Sequence, residues 1–223
     1  MFLALVAPLA LGEPPTVVPA FETEPVRSEG DAADDIAVWI NPADPSKSRI
    51  LGTDKQRGIV VYDLSGRIVQ EVVGGRENNV DVLTGFSLGG REVDLAVGSA
   101  REGNRVSIYE IDRASGEVRV AQAPPVVVEG GSVYGLCAMR SARSGRFYVF
   151  VTTTADEVQQ WRLFERDGAI GAELVRRFGV GGHCEGMTTD PARNSLLVAE
   201  ERVGIWRYEA EPAWLLHGKP AGH

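Results

Sequence analysis

Four stretches of the chain repeat one pattern. Ile50 to Asp54 leads to Val60–Tyr62, Leu95 to Ser99 leads to Ser107–Tyr109, Phe150 to Thr154 leads to Gln159–Trp161, and Leu197 to Glu201 leads to Gly204–Trp206. Each is an apolar strand ending in small or charged residues, then a polar turn, then a strand ending in an aromatic. The anchors Tyr62, Tyr109, Trp161 and Trp206 recur after 47, 52 and 45 residues. A strand repeat of that length builds the four-stranded blades of a β-propeller. The fold collects turn residues of successive blades at one end of a central channel, so polar groups far apart in sequence share one site. The four aromatics are expected to pack blade against blade.

Alternation and turn residues fill in the remaining strands of an all-β chain. A first blade is expected at 35–40, 49–53, 58–63 and 68–73. A second is expected at 79–86, 92–99, 105–111 and 117–121, and a third at 133–139, 147–153, 158–164 and 172–178. The fourth shows three strands, at 184–188, 195–199 and 203–208, and the sequence from Pro212 onward has no alternation. An open last blade leaves unpaired N–H and C=O groups along its edge. The domain therefore reads as an incomplete propeller over residues 13–212, about three and a half to four blades, with an atypical tail at 213–223.

Composition narrows the partners. A net charge of −8 argues against nonspecific nucleic-acid binding, which needs basic surface to neutralise phosphates, and leaves room for bound cations. No run reaches the roughly 18 apolar residues of a spanning helix, so no membrane partner is expected. Phe2 to Leu11 is a short apolar run closed by Ala10-Leu11-Gly12, which reads as a signal peptide over residues 1–12 and a secreted or periplasmic protein. Cys137 and Cys184 lie in apolar strand contexts and are expected to be buried free thiols.

Chemistry is expected where strands end in polar residues. Those ends supply Asp34, Asp35, Asp54, Lys55, Arg101, Tyr134, Asp156, Glu157, Glu185, Glu200 and Glu201, with Glu22 and Glu24 upstream. Carboxylates beside a Lys, an Arg and a Tyr suit hard cations bound through oxygen and phosphate oxygens held by the basic groups. Competing motifs fall away. Cys137 to Arg143 matches a Cys-x5-Arg phosphatase pattern, but it lies in a strand rather than ahead of a helix. The three histidines, His183, His217 and His223, are too few and too scattered for a zinc site.

Several ordered segments resemble one family. They are Glu22 to Pro25, Asp31 to Trp39, Gly52 to Lys55, Val61 to Leu64, Asn78 to Val82, Tyr134 to Cys137, Glu185 to Met187, and Ala199 to Glu201 with Gly204 to Trp206. Together they are similar to the β-propeller phytases, the calcium-dependent alkaline phytases, from about Glu22 to Pro212. The resemblance implies a six-bladed propeller of greater length, of which this chain is the N-terminal part. It also implies a 3-phytase-type phosphomonoester hydrolase that releases phosphate from calcium phytate (myo-inositol hexakisphosphate) using several Ca2+ ions, and acts as a monomer at full length. By motif position Lys55, Arg101 and Tyr134 are the expected phosphate ligands. Glu22, Asp34, Glu185 and Glu201 are the expected carboxylates for calcium and its water, and Asp35 serves structural calcium or a turn. Thr154 stands in the segment where the family usually carries a Lys. The competing readings are an inactive fragment and a propeller that binds without catalysis.

Overall fold

The computed structural model describes residues 16–212. The signal expected over residues 1–12 and the tail expected over 213–223 lie outside them. No helix among the described residues is long and apolar enough to cross a membrane.

Sixteen strands make four antiparallel sheets. The first blade is β1 (Ala33–Trp39), β2 (Arg49–Asp54), β3 (Gly58–Tyr62) and β4 (Ile68–Val73), paired in that order. The second is β5 (Glu77–Leu88), β6 (Arg91–Ala100), β7 (Arg105–Ile111) and β8 (Val118–Val120), with the short β9 (Val126–Val127) also pairing β7. The third is β10 (Val133–Arg140), β11 (Phe147–Thr153), β12 (Glu157–Arg166) and β13 (Ala169–Gly179). The fourth is β14 (Cys184–Asp190), β15 (Ser195–Glu200) and β16 (Gly204–Glu209), three strands among the described residues. The all-β propeller expected from the repeat is the fold observed. The inner strands β1, β5, β10 and β14 lie side by side in that order.

Side chains alternate across each strand, so one face of a blade packs on the previous blade and the other on the next. Three apolar clusters follow. Ala37 and Trp39 of β1 meet Val80, Ala96, Tyr109 and Ile111 of the second blade. Leu83, Leu95 and Val97 meet Leu136, Val149 and Val151. Met139 and Phe150 meet Leu196 and Val198. Polar ties supplement these clusters. The Trp39 indole N–H donates to the buried Asp94 carboxylate at 2.8 Å, and Gln70 of β4 exchanges two hydrogen bonds with the Val118 backbone (2.6 and 2.9 Å). Cys137 and Cys184 are buried free thiols, and burial pushes the Cys184 thiol up to about 11.

Two faces depart from this pattern. Ile36, Val38 and Ile40 alternate on the other side of β1 at 67%, 50% and 57% exposure, with no blade over them among the described residues. In the fourth blade Ile205 is 74% and Trp206 44% exposed. Of the repeated aromatics, Tyr109 is buried between the first two blades and Trp161 is partly buried on the second cluster, whereas Tyr62 is buried on the opposite face of the first blade, beside Thr23 of the N-terminal segment, and does not pack blade against blade. Trp206 lies on an edge strand and donates its indole N–H to Glu200 at 2.6 Å.

Candidate active site

One backbone contact recurs in every blade and creates the site. The residue after each second strand donates its N–H to a carbonyl just before, or one residue upstream of, the inner strand. Lys55 donates to Ala32 (2.8 Å), Arg101 to Arg76 (3.0 Å), Thr154 to Ser132 (2.9 Å) and Glu201 to His183 (3.0 Å). Four side chains from distant sequence thereby occupy equivalent positions at one end of the sheets. Thr154 takes the position that Lys55 and Arg101 hold in their blades, so the third blade contributes no cation there.

Lys55 is the best-supported cation. Its Nζ lies 3.0 Å from both Asp31 Oδ1 and Asp34 Oδ1, and these carboxylates hold the ammonium pKa above its ordinary value. The side chain is charged at neutral pH. Lys55 and Arg101 line a common cavity of about 380 Å³ together with Asp31, Gln56, Arg76 and Asn78. Beyond Arg101 the site continues along aromatic contacts. The Arg101 guanidinium lies 5.3 Å from the centre of the Tyr134 ring, and that ring is 5.0 Å from the His183 imidazole. Burial, followed by the neighbouring Glu185 carboxylate, pushes the Tyr134 phenol upward, so Tyr134 remains a hydroxyl donor. Glycine at position 135 lets the fourth blade approach, because a Cβ there would fall 2.0 Å from the Glu185 carbonyl oxygen.

The fourth blade closes the arrangement. Glu185 Oε1 accepts from Asn78 Nδ2 at 3.1 Å, bridging β14 to β5. His183 sits between carboxylates, with Nε2 3.9 Å from Glu201 and Nδ1 3.9 Å from Asp156. Of the residues expected from sequence, Asp34, Lys55, Arg101, Tyr134, Glu185 and Glu201 therefore collect at one end.

Two others do not. Asp35 is spent on the contact between blades: its Oδ2 accepts from Asn79 Nδ2 (3.2 Å) and from the Val80 N–H (3.1 Å), and its Oδ1 from the Ile36 N–H (2.9 Å). Glu22 is exposed and lies by the Gly66 turn, where the Glu24 N–H meets the Gly66 carbonyl at 2.7 Å. That turn follows β3, whereas Lys55 precedes it, so Glu22 and Lys55 sit at opposite ends of the blade. Arg76 and Asn78 also line the cavity, and no local sequence pattern marks either as a site residue.

Among the described residues no three His, Cys, Asp or Glu side chains form a preformed metal cluster. Apart from the His183 imidazole the donors are hard oxygens, including Asn78 Oδ1, which is buried without a hydrogen-bond partner. That chemistry suits calcium in type, but the number of carboxylates at any one point falls short of a cage.

The phytase family model matches residues 10–219. The chain belongs to the phytase family. It is 37% identical over 196 residues to the 3-phytase of Bacillus subtilis (strain 168), a match covering 86% of the chain and 51% of that relative. The chain thus spans about half the length of the curated relative it matches. Solved structures share the fold at low identity. A putative 6-phosphogluconolactonase from Bacteroides uniformis superposes with a TM-score of 0.55 at 16% identity, over 79% of this phytase-family chain and 50% of that one. Sqt1 from Chaetomium thermophilum gives 0.54 at 16% identity, over 84% and 45%.

Proposed function

We propose that this end of the propeller is a phosphate-monoester site that hydrolyses phytate. The observation that carries the reading is the cavity shared by Lys55 and Arg101, with Tyr134 and Glu185 alongside, in a chain of the phytase family. Lys55, held charged by Asp31 and Asp34, and Arg101 bind phosphate oxygens and offset the charge that builds as water attacks phosphorus and the ester P–O bond breaks. The Tyr134 hydroxyl donates to the same phosphate. Glu185 takes the proton from the attacking water and, once protonated, returns it to the departing inositol oxygen, which regenerates the carboxylate.

Calcium belongs to this proposal. Glu185, Glu201, Asp34 and the free Asn78 Oδ1 are the oxygens that would hold it, with phosphate and water oxygens filling the remainder of its shell. Bound there, calcium would neutralise both the carboxylates and a polyanionic substrate, and lower the pKa of bound water. The residues 1–12 fit an exported enzyme that meets phytate outside the cytoplasm.

The test is orthophosphate release from phytate, with calcium and with a chelator. Release that requires calcium and falls at least about a hundredfold in Glu185→Gln supports the reading; release indifferent to both overturns it. A second reading, a propeller fragment without activity, is favoured by the uncovered face of Ile36, Val38 and Ile40. It requires no release under any condition together with binding of dyes that report exposed apolar surface.

A further inference from the structure

The cavity between the first two blades carries a cation that the activity proposed above leaves without a role. We infer that Arg76 is a third phosphate-binding residue of the site and sets its affinity for highly phosphorylated substrates, an inference that rests on the phosphate-site reading of the cavity.

Four observations converge. First, the position is singular in the repeat. The carbonyls that receive the Lys55, Arg101, Thr154 and Glu201 N–H groups belong to Ala32, Arg76, Ser132 and His183, so the second blade alone puts a permanent cation there. The first and third blades put the uncharged Ala32 and Ser132 at that position. Second, the charge balance of the cavity is positive. Lys55, Arg76 and Arg101 stand against Asp31, which lines the cavity and meets Lys55 through both oxygens (3.0 and 3.1 Å), and Asp34, 3.0 Å from the same ammonium, so both carboxylates are spent on Lys55 and the two guanidiniums are left over. In a chain of net charge −8, no carboxylate among the described residues lies within ion-pair distance of Arg76 or Arg101.

Third, the nearest counter-ion in sequence is withdrawn. Glu77 points to the other side of the strand, is fully buried, and accepts from the Tyr109 hydroxyl at 2.7 Å. Fourth, Asn78 lines the same cavity with a fully buried side chain whose Oδ1 has no partner. Two guanidiniums, an ammonium and an unsatisfied amide oxygen constitute a site built for an oxyanion with an acidic proton or an accompanying cation. The bond from the Arg101 N–H to the Arg76 carbonyl fixes the two backbones relative to each other, and both side chains line the one cavity. An exposed guanidinium offers planar, paired donors to phosphate oxygens.

The test compares the wild type with Arg76→Gln, Arg76→Lys and Arg76→Glu, using exposed Arg119→Gln as a charge control. Phytate and orthophosphate affinities are measured calorimetrically in chelator, where turnover does not compete, and with calcium through orthophosphate binding and the KM for phytate, and thermal midpoints are recorded for each protein. The expected result is phytate binding about tenfold weaker in Arg76→Gln, weaker still in Arg76→Glu, partly restored in Arg76→Lys, and unchanged in Arg119→Gln, at equal midpoints. If Arg76→Gln and Arg76→Glu bind phytate as the wild type does while Arg101→Gln binds it more weakly, the role of Arg76 is overturned and the phosphate site stands. If the wild type binds neither phytate nor orthophosphate, both fall together.

Discussion

Replacing Tyr109 by Phe removes a single oxygen, and the structure states what that oxygen does. Tyr109 is 1% exposed and Glu77 is fully buried. The hydroxyl donates to Glu77 Oε1 at 2.7 Å, while Glu77 Oε2 has no partner. In the Phe variant the buried carboxyl loses its 2.7 Å hydrogen bond and keeps only the neighbouring Ser107 hydroxyl. A hydrogen bond to a charged group contributes about 1.5–3 kcal/mol, and an orphaned buried group costs a similar amount. The variant is expected to lose about 2–3 kcal/mol, a Tm drop of about 4–12 °C for a chain of this length. Converting Glu77 to Leu as well replaces the polar pair by two apolar groups, which is close to neutral. The double variant should match the wild type within about 1 kcal/mol, giving a coupling energy of at least about 1.5 kcal/mol. Urea unfolding of the four proteins measures it. Additive losses, with coupling below about 0.5 kcal/mol, would refute the claim that Tyr109 exists to satisfy Glu77.

The same carboxyl predicts a pH dependence. Burial pushes Glu77 above the ordinary 4.5, so between the unfolded and folded values the folded chain holds the extra proton; stability falls as pH rises from about 4.5 through the folded value and then levels. Glu77→Gln should remove that fall, and a Tm series over this range in both proteins reads it directly. Asp35→Ala takes acceptors from Asn79 and from the Val80 and Ile36 N–H groups. It should cost about 2–3 kcal/mol, seen as a lower urea midpoint at unchanged slope; an unchanged midpoint would show that Asp35 does not join the first two blades.

Much of this protein is readable from one chain because the same elements recur. Apolar strands bounded by turn clusters locate all four blades, and where a sheet is covered on both faces the apolar run is continuous rather than alternating, as in Leu95–Val97 and Val149–Val151, every residue of which is buried. The turn after each second strand identifies Lys55, Arg101 and Glu201 for the same reason. Other features lie below what local pattern carries. Residues 16–32 contain no strand, so the motif around Glu22 gives chemistry without position, and the chain leads Glu22 to the Gly66 turn. Asp34 and Asp35 are adjacent and chemically alike, and only the pleat separates the partner of Lys55 from the bridge to Val80. Trp206 matches the aromatic pattern of Tyr62 and Tyr109 but lies on an edge, because burial depends on the neighbouring sheet and not on the strand itself. Arg76 is a lone arginine before a strand, and its setting emerges only when β2, β5 and β6 meet.

The Lys55–Arg101 cavity is the proposed place of phosphate release. The direct measurement is the rate of orthophosphate release from phytate, in the presence of calcium, by the full chain and by Lys55→Ala. Loss of the ammonium that Asp31 and Asp34 hold should lower kcat/KM by at least about a hundredfold while the fold, followed by far-UV circular dichroism, is kept. Equal rates in the two proteins would contradict the placement of the reaction in this cavity.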